Sequence, residues 1–498
     1  MILLEDELIT SIPNLTFRIE PGYTFGQDLA SFEFYSQNLL IGGLSTSSES
    51  DSIFLGKVAE YQRNKNVWID CEGAHAIYVM GKRRSGKTYT LGVLLEGLAS
   101  NNWIKQGNEK QAIVMLDTMN VFITMPHNVE DVYGNKSKQF EDVRRWGLQK
   151  ESFNVILFYP RGTTPPHEGV SKEIAIRPTD LSGEDWAALF GVDTYSDPMG
   201  QLIADLYERV VLEGYDNIKG THINPNRDYS IDDLIFCIDN CQSIISGYSP
   251  DTIRAIKARL KAIKRLSIFS ETGINLKEIF LPGQISILLL RDLKQDLRSL
   301  LVGVLVKKIM EFRSISDNYE RLAAIHKAKS KTLSDQGNKE KAQEENQEHE
   351  KCLEKAQTGL PRGWIIIDEA HNYIPAKGIT PSGEPLKKYV NEGRNLGLSI
   401  VVATQNPSAL DPSIRRNADI LIIHSISMRD DISTAEGMIN TFIPDTFEFG
   451  REKVSSRAFE RLVRSLPLGY AVISNDRVNR VFVAKIRPRI TIHGGVEY

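Results

Sequence analysis

Residues 76–88 read Ala76-Ile-Tyr-Val-Met-Gly81-Lys-Arg-Arg-Ser-Gly86-Lys87-Thr88. An apolar run, Ala76 to Met80, leads directly into Gly-x-x-x-x-Gly-Lys-Thr, and Tyr89 to Leu98 continues with helical spacing. This is the strand, loop and helix of a phosphate-binding P-loop. Its glycines allow backbone N–H groups to approach a phosphate, because no Cβ intervenes. The helix that follows presents free N–H groups and a positive dipole end to the same anion. Lys87 is expected on the β- and γ-phosphates and Thr88 on Mg²⁺. The expected nucleotide contacts are Gly81, Arg84, Ser85, Gly86, Lys87, Thr88 and Tyr89.

The remaining composition narrows the class. The chain has 498 residues, which implies two to four domains. Apolar residues make up 41% and charged residues 25%, as in a water-soluble globular chain. A net charge of −4 does not announce a nucleic-acid partner, so any basic surface must be local. No apolar run reaches the ~20 residues that span a bilayer, and Met1-Ile-Leu-Leu-Glu-Asp-Glu has no secretory pattern. Cys71, Cys237, Cys241 and Cys352 form no metal-ligand spacing and read as packed thiols in a reducing, cytoplasmic setting.

In chain order, residues 1–72 carry short β-like runs between turn residues, the pattern of a small β-barrel. Residues 73–169 alternate strand and helix, with Gln111 to Asp117 and Phe153 to Pro160 as strands buried on both faces. Residues 170–280 are mainly helical and read as an insertion. In it, Arg254, Lys257, Arg259, Lys261, Lys264 and Arg265 crowd one face, either as a solvated surface or as a DNA contact, and Lys136 to Lys150 is the other basic candidate. Residues 281–498 return to the α/β pattern and end in strands. Within them the Lys- and Glu-rich stretch 325–358 is either a protruding helical hairpin or a mobile loop. No internal repeat is visible.

A P-loop needs carboxylates opposite it. Trp364 to Ile367 is apolar and ends in Asp368-Glu369. The C-terminal ends of parallel strands face the ligand crevice. Asp368 therefore suits the Mg²⁺ shell and Glu369 the general base that polarises the attacking water. Thr404 and Gln405 end Leu398 to Ala403, and the Gln405 amide suits orientation of that water or sensing of the γ-phosphate. Asp117 is either a second rim carboxylate or an ordinary loop residue. Phosphoryl transfer also calls for positive charge, often an arginine from a neighbour. Arg161, Arg394, Arg415 and Arg416 are the candidates.

These residues resemble the HerA branch of the HerA/FtsK ATPases. The resemblance is carried by the barrel-like start, the P-loop and Ile365-Ile-Ile-Asp-Glu-Ala-His-Asn372. It extends to Glu392-Gly-Arg-Asn-Leu-Gly-Leu-Ser-Ile-Val-Val-Ala-Thr-Gln-Asn-Pro-Ser408, Leu466-Pro-Leu-Gly-Tyr-Ala and Val483-Ala-Lys-Ile-Arg-Pro-Arg489. It implies an α/β fold, a RecA-like P-loop core with an N-terminal small β-barrel and a helical insertion. It also implies a homo-hexamer that binds ATP with Mg²⁺ between subunits and moves double-stranded DNA through its pore. Arg394 is then the first choice for the arginine acting in trans and Arg416 the second. Such motors commonly work with a separate nuclease or sirtuin-like effector, in DNA-end processing or anti-phage defence, and the barrel is the expected docking face. This chain carries no nuclease signature of its own. The other reading is an ATP-regulated scaffold that assembles an effector with little translocation. The charged P-loop residues Lys82, Arg83 and Arg84 depart from the small or neutral residues usual at those positions.

Overall fold

Strands built almost wholly from Ile, Val, Leu and Met occupy the middle of one large sheet. The computed structural model describes residues 38–42, 51–59, 66–101, 110–133, 137–166, 170–439, 447–449, 452–454, 458–475 and 480–494. In chain order the strands are β1 (Asn38–Ile41), β2 (Ser52–Val58), β3 (Asn66–Asp70), β4 (Ala76–Met80), β5 (Ala112–Asp117), β6 (Asn154–Pro160), β7 (Ser171–Ile174), β8 (Tyr215–Asp216), β9 (His222–Ile223), β10 (Gln284–Leu289), β11 (Gly363–Ile367), β12 (Leu398–Thr404), β13 (Ile420–Ile423), β14 (Phe447–Phe449), β15 (Glu452–Val454), β16 (Tyr470–Asn475) and β17 (Arg480–Ile486). The main sheet has 13 strands in the order β1-β3-β2-β17-β16-β13-β4-β12-β11-β5-β10-β6-β7. From β13 to β7 all pairings are parallel, whereas β16, β17 and β2 are antiparallel to their neighbours.

The parallel strands are covered on both faces, which is why their apolar runs are continuous. Alternate residues serve opposite faces. On one side Ile77, Val79, Trp364 and Ile366 pack with Leu91, Leu94, Leu95 and Leu98 of helix α1 (Lys87–Ala99). On the other, Tyr78, Met80, Ile365 and Ile367 pack against the helical region. That region contains α2 (Gly183–Leu189), α3 (Pro198–Tyr207), α4 (Ile231–Asn240) and α5 (Pro250–Lys264). Each helix of this group begins at a side-chain cap, Ser182, Asp197, Ser230 or Ser249. Cys237 and Cys241 are buried thiols there. Beyond it come α6 (Gln295–Asp335), α7 (Lys339–Ala356), α8 (Gly383–Glu392), α9 (Pro412–Asn417) and α10 (Arg429–Met438).

The charged stretch 325–358 lies in α6 and α7, which form a helical hairpin. It is held where side chains close across it. Arg313 binds Glu320 and the Leu360 and Leu396 carbonyls, and Ser330 donates to the Ala342 carbonyl at 2.8 Å. Among the described residues no helix is long and apolar enough to cross a membrane.

Most of the expected barrel, residues 1–37, 43–50 and 60–65, lies outside the described residues. The three strands described there do not close on themselves: β1, β3 and β2 extend the main sheet through the pairing of Val58 with Ala484. Two buried charge clusters fasten this edge. His75 lies 2.8 Å from Asp419 and 3.6 Å from Asp70 and is fully buried. At the other cluster Glu96, inside α1, accepts from Arg487 at 2.7 Å, from the Thr491 hydroxyl at 2.7 Å and from the Ile490 and Thr491 N–H groups. Arg489 lies 3.7 Å from the same carboxylate, and Gly92 leaves room for its guanidinium.

Breaking a buried ion cluster strands the remaining charge, at about 3–5 kcal/mol. Glu96→Ala is therefore expected to lower unfolding stability by that order in denaturant titration, whereas exposed Glu141→Ala should change it little. His75 gives a pH signature. Burial alone would lower its pKa, but hydrogen bonds and charge from Asp419 and Asp70 outweigh this and raise it to about 9. A raised histidine stabilises fully below its unfolded pKa, about 6.5, and the gain is lost as pH rises through the folded value. Stability should fall between pH 6.5 and 9, and His75→Gln should abolish that slope in thermal melts.

Candidate functional site

The P-loop closes because two of its residues lack a side chain. A Cβ on Gly81 would sit 2.5 Å from the Ser85 hydroxyl and 2.7 Å from His424 Cβ. Gly86 has φ +111°, in the region that favours glycine, and opens α1. Arg84 also lies at positive φ, +63°. Ser85 is buried, whereas the Lys82, Arg83 and Arg84 side chains are exposed. The added charges therefore ring the mouth of the loop rather than its floor.

His424, at the end of β13, forms the wall behind the glycines. Its Nδ1 lies 3.0 Å from the Tyr470 carbonyl and its Nε2 2.9 Å from the Thr90 hydroxyl. The carbonyl can only accept, so Nδ1 carries the proton and Nε2 accepts from Thr90. Burial lowers its pKa to about 4, so the ring is neutral. From sequence alone this residue is assigned no role. A polar side chain ending an apolar strand beside the P-loop strand was the available signal.

The carboxylates stand opposite. Lys87 Nζ donates to the Lys82 carbonyl at 3.0 Å, and burial pushes its pKa down against the opposing pull of Glu369 and Asp368. Thr88 donates to Asp368 Oδ2 at 3.4 Å. Burial, then the negative charges of Glu369 and Asp117, raise Asp368 to about 7, and Lys87 opposes them. A hydroxyl and a buried carboxylate this close are a fitting hard-oxygen pair for Mg²⁺. Glu369 has φ +52°, and its N–H donates to Asp368 Oδ1 at 3.0 Å. Its carboxylate accepts from the Gln405 side-chain amide and from the Gln405 N–H at 3.4 Å. Lys87, Thr88, Asp368, Glu369 and Gln405 thus belong to one constellation at the C-terminal ends of β4, β11 and β12.

Asp117 resolves as a turn organiser. It accepts from the N–H groups of Met119, Val121 and Phe122, the last at 2.7 Å. Burial raises it to about 6 despite those bonds. Tyr89 accepts from the Arg489 N–H at 2.7 Å, which engages its hydroxyl with the C-terminal segment.

The arginines fall elsewhere. Arg161 is paired with Glu173 at 3.5 Å. Arg394 is exposed in the turn Gly393–Leu396 just before β12, at the sheet edge away from the P-loop. Strand β12 separates that turn from Gln405 by about 20 Å. Arg416 is exposed in α9, ahead of β13, and Asn417 donates to Asn391 at 2.9 Å, which joins α9 to the end of α8. Arg415 and Arg416 line a cavity of about 330 Å³ with Ser433 and Thr434. Part of the charge of the two basic DNA candidates is paired in cis. Lys257 pairs with Asp239, Lys264 with Asp232, Arg254 with Asp251 and Lys150 with Asp131.

Comparison with known proteins gives the family and the fold. Residues 53–309 match the family model described as Helicase HerA, central domain. Among curated proteins, none matches the chain by sequence. By fold the chain is similar to VirB4 of Thermoanaerobacter pseudethanolicus, at 14% identity and a TM-score of 0.50, over 88% of this chain and 96% of that one. It is also similar to the plasmid coupling protein TrwB in complex with ADP and Mg²⁺, at 14% identity and a TM-score of 0.46, over 92% and 99% of the two chains. The family match spans more than half of the residues and includes the P-loop. The chain belongs to the HerA helicase central-domain family and is an ATPase with ATP and Mg²⁺ as cofactors.

Proposed function

We propose that this ATPase is a ring-forming motor, a homo-hexamer that moves double-stranded DNA through its pore with a separate effector chain bound at the N-terminal face. The observation that carries the reading is the split of the site. The groups for binding and water activation are assembled in cis, while Arg394 and Arg416 are exposed at the opposite sheet edge. An arginine about 20 Å from its own P-loop serves only a nucleotide held by another subunit. Glu369 takes the proton of the attacking water, and Lys87 holds the β- and γ-phosphates. Bound Mg²⁺ supplies charge neutralisation of those phosphates from the Thr88 and Asp368 side. Gln405 is both the sensor and the group that holds Glu369. Arg394 completes the neighbour's site, and Arg416 is the second choice for that role.

The DNA contact of such a motor runs along the phosphate backbone, so it is sequence-independent and weakens with salt. Residues 1–72 are assigned to effector docking, and a nuclease or sirtuin-like partner in DNA-end processing or anti-phage defence fits the absence of nuclease motifs in this chain.

Two outcomes are expected. Glu369→Gln retains ATP binding by equilibrium titration and loses turnover; wild-type hydrolysis by this variant would refute the base assignment. Lys87→Ala and Arg394→Ala are each inactive alone, and mixing them restores turnover, because each supplies at the interface what the other lacks. If the mixture stays inactive while Arg416→Ala complements Lys87→Ala, the trans role passes to Arg416.

A further inference from the structure

The loop after Glu369 contains a polar side chain with no role in the account above. His371 sits in the short helical turn Ala370–Asn372 and is partly buried. Its Nδ1 lies 2.9 Å from the Thr404 hydroxyl and 3.5 Å from Glu369 Oε2. Thr404 is fully buried at the tip of β12, and its hydroxyl accepts from the Asn406 N–H at 3.0 Å. A carboxylate beside an imidazole nitrogen repels a lone pair and attracts a proton, which assigns the tautomer with hydrogen on Nδ1. That hydrogen is donated to Thr404 Oγ1, and the same edge of the ring faces Glu369 Oε2 at the longer distance of 3.5 Å.

We propose that His371 is a positioning residue: through Nδ1–H it joins the Gln405 side chain and N–H in holding the Glu369 carboxylate, and it ties that hold to the tip of β12. The proposal rests on the reading of Glu369 as general base. The two Gln405 hydrogen bonds and the His371 contact reach Glu369 from two elements, the end of β12 and the turn after β11. A carboxylate on a residue at positive φ has a backbone pinned in a sparsely populated conformation. Its side chain needs a matching set of donors to stay aimed. The same turn is tied to α6, where the Gln295 amide donates to the Asn372 carbonyl. Ser382, bonded to Ser299 of α6 at 2.6 Å, donates to the Tyr373 carbonyl at 2.7 Å. His371 therefore stands between the hydrolytic carboxylate and the base of the long hairpin.

The neutral state suits this role. Burial lowers the His371 pKa, Glu369 opposes that and Lys87 adds to it. A neutral ring donates one hydrogen bond without adding a cation that would compete for the charge of the base.

The test uses side-chain geometry. Asn places an N–H donor near the Nδ1 position, whereas Gln places it near Nε2. With the full-length protein, His371→Ala and His371→Gln are expected to lower kcat for ATP about tenfold, the worth of one ordered hydrogen bond to a charged group. KM for ATP should stay within about twofold in both, since uniform binding is untouched. His371→Asn is expected to recover most of kcat. Should the Ala variant fail to fold, the comparison of Asn with Gln carries the test. Equal losses in Asn and Gln, a loss that appears only in KM, or wild-type kcat in all three would overturn the proposal. Such a result leaves the assignment of Glu369 standing, because that depends on Glu369→Gln alone. If instead Glu369→Gln hydrolyses ATP normally, the base reading falls, and this inference falls with it.

Discussion

One strand controls the chemistry of this molecule. β12 lies between the P-loop strand β4 and the carboxylate strand β11, parallel to both. Parallel neighbours are about 4.8 Å apart, so the two strand tips that meet the nucleotide stand about 9.6 Å from one another. That gap is too wide for Glu369 and the P-loop backbone to touch. It is filled by the end of β12, where Thr404 and Gln405 emerge. Gln405 holds Glu369 from the middle of the gap, and Thr404 meets His371 beneath it. Thr88 and Asp368 meet across the same space. The spacing is a backbone property, and the polar residues are what the backbone leaves room for.

A second constraint keeps the P-loop helix from moving. α1 is buried along most of its length, and within it Glu96 is fully inaccessible to water. A carboxylate there is tolerated only because Arg487, the Thr491 hydroxyl and two N–H groups surround it. The C-terminal segment thus serves as the solvent of α1. Tyr89 extends the same arrangement to within one residue of Thr88 through its bond to the Arg489 N–H. The nucleotide site and the far end of the chain are one packed unit.

Much of this was legible in the sequence. The apolar runs at 76–80, 111–117, 284–290 and 398–405 were readable as buried strands because strands covered on both faces show no alternation to confuse them with anything else. The Asp368-Glu369 pair was readable because strand order in a P-loop sheet puts strand ends at the ligand. Asp117 was not, since the same Asp at a strand end serves equally as a rim carboxylate or as a cap. Only the three N–H groups it accepts decide the case. His424 and His371 were missed because a lone histidine has no spacing signature; their roles arise from contacts across about 330 and 30 residues of sequence. The crowded basic helix stayed open between a solvated face and a DNA contact, since Asp232 and Asp239, which pair with Lys264 and Lys257, belong to another helix.

The positions of the arginines complete the physical argument. Phosphoryl transfer needs charge on the γ-phosphate beyond one lysine and one metal ion. The register of β12 places Arg394 at the opposite end of the strand from Gln405, and a strand is stiff, so no local rearrangement brings the two together. Arg416 meets the same restriction through β13, whose first residue, Ile420, pairs with Ile77 near the start of β4. Both arginines are exposed, and neither spends its charge on a buried partner. On the proposed reading, binding groups at one end of the strands and exposed guanidiniums at the other are the two halves of a site that repeats around a ring. Each subunit would present one half to each neighbour, and turnover would then depend on how tightly the ring is closed.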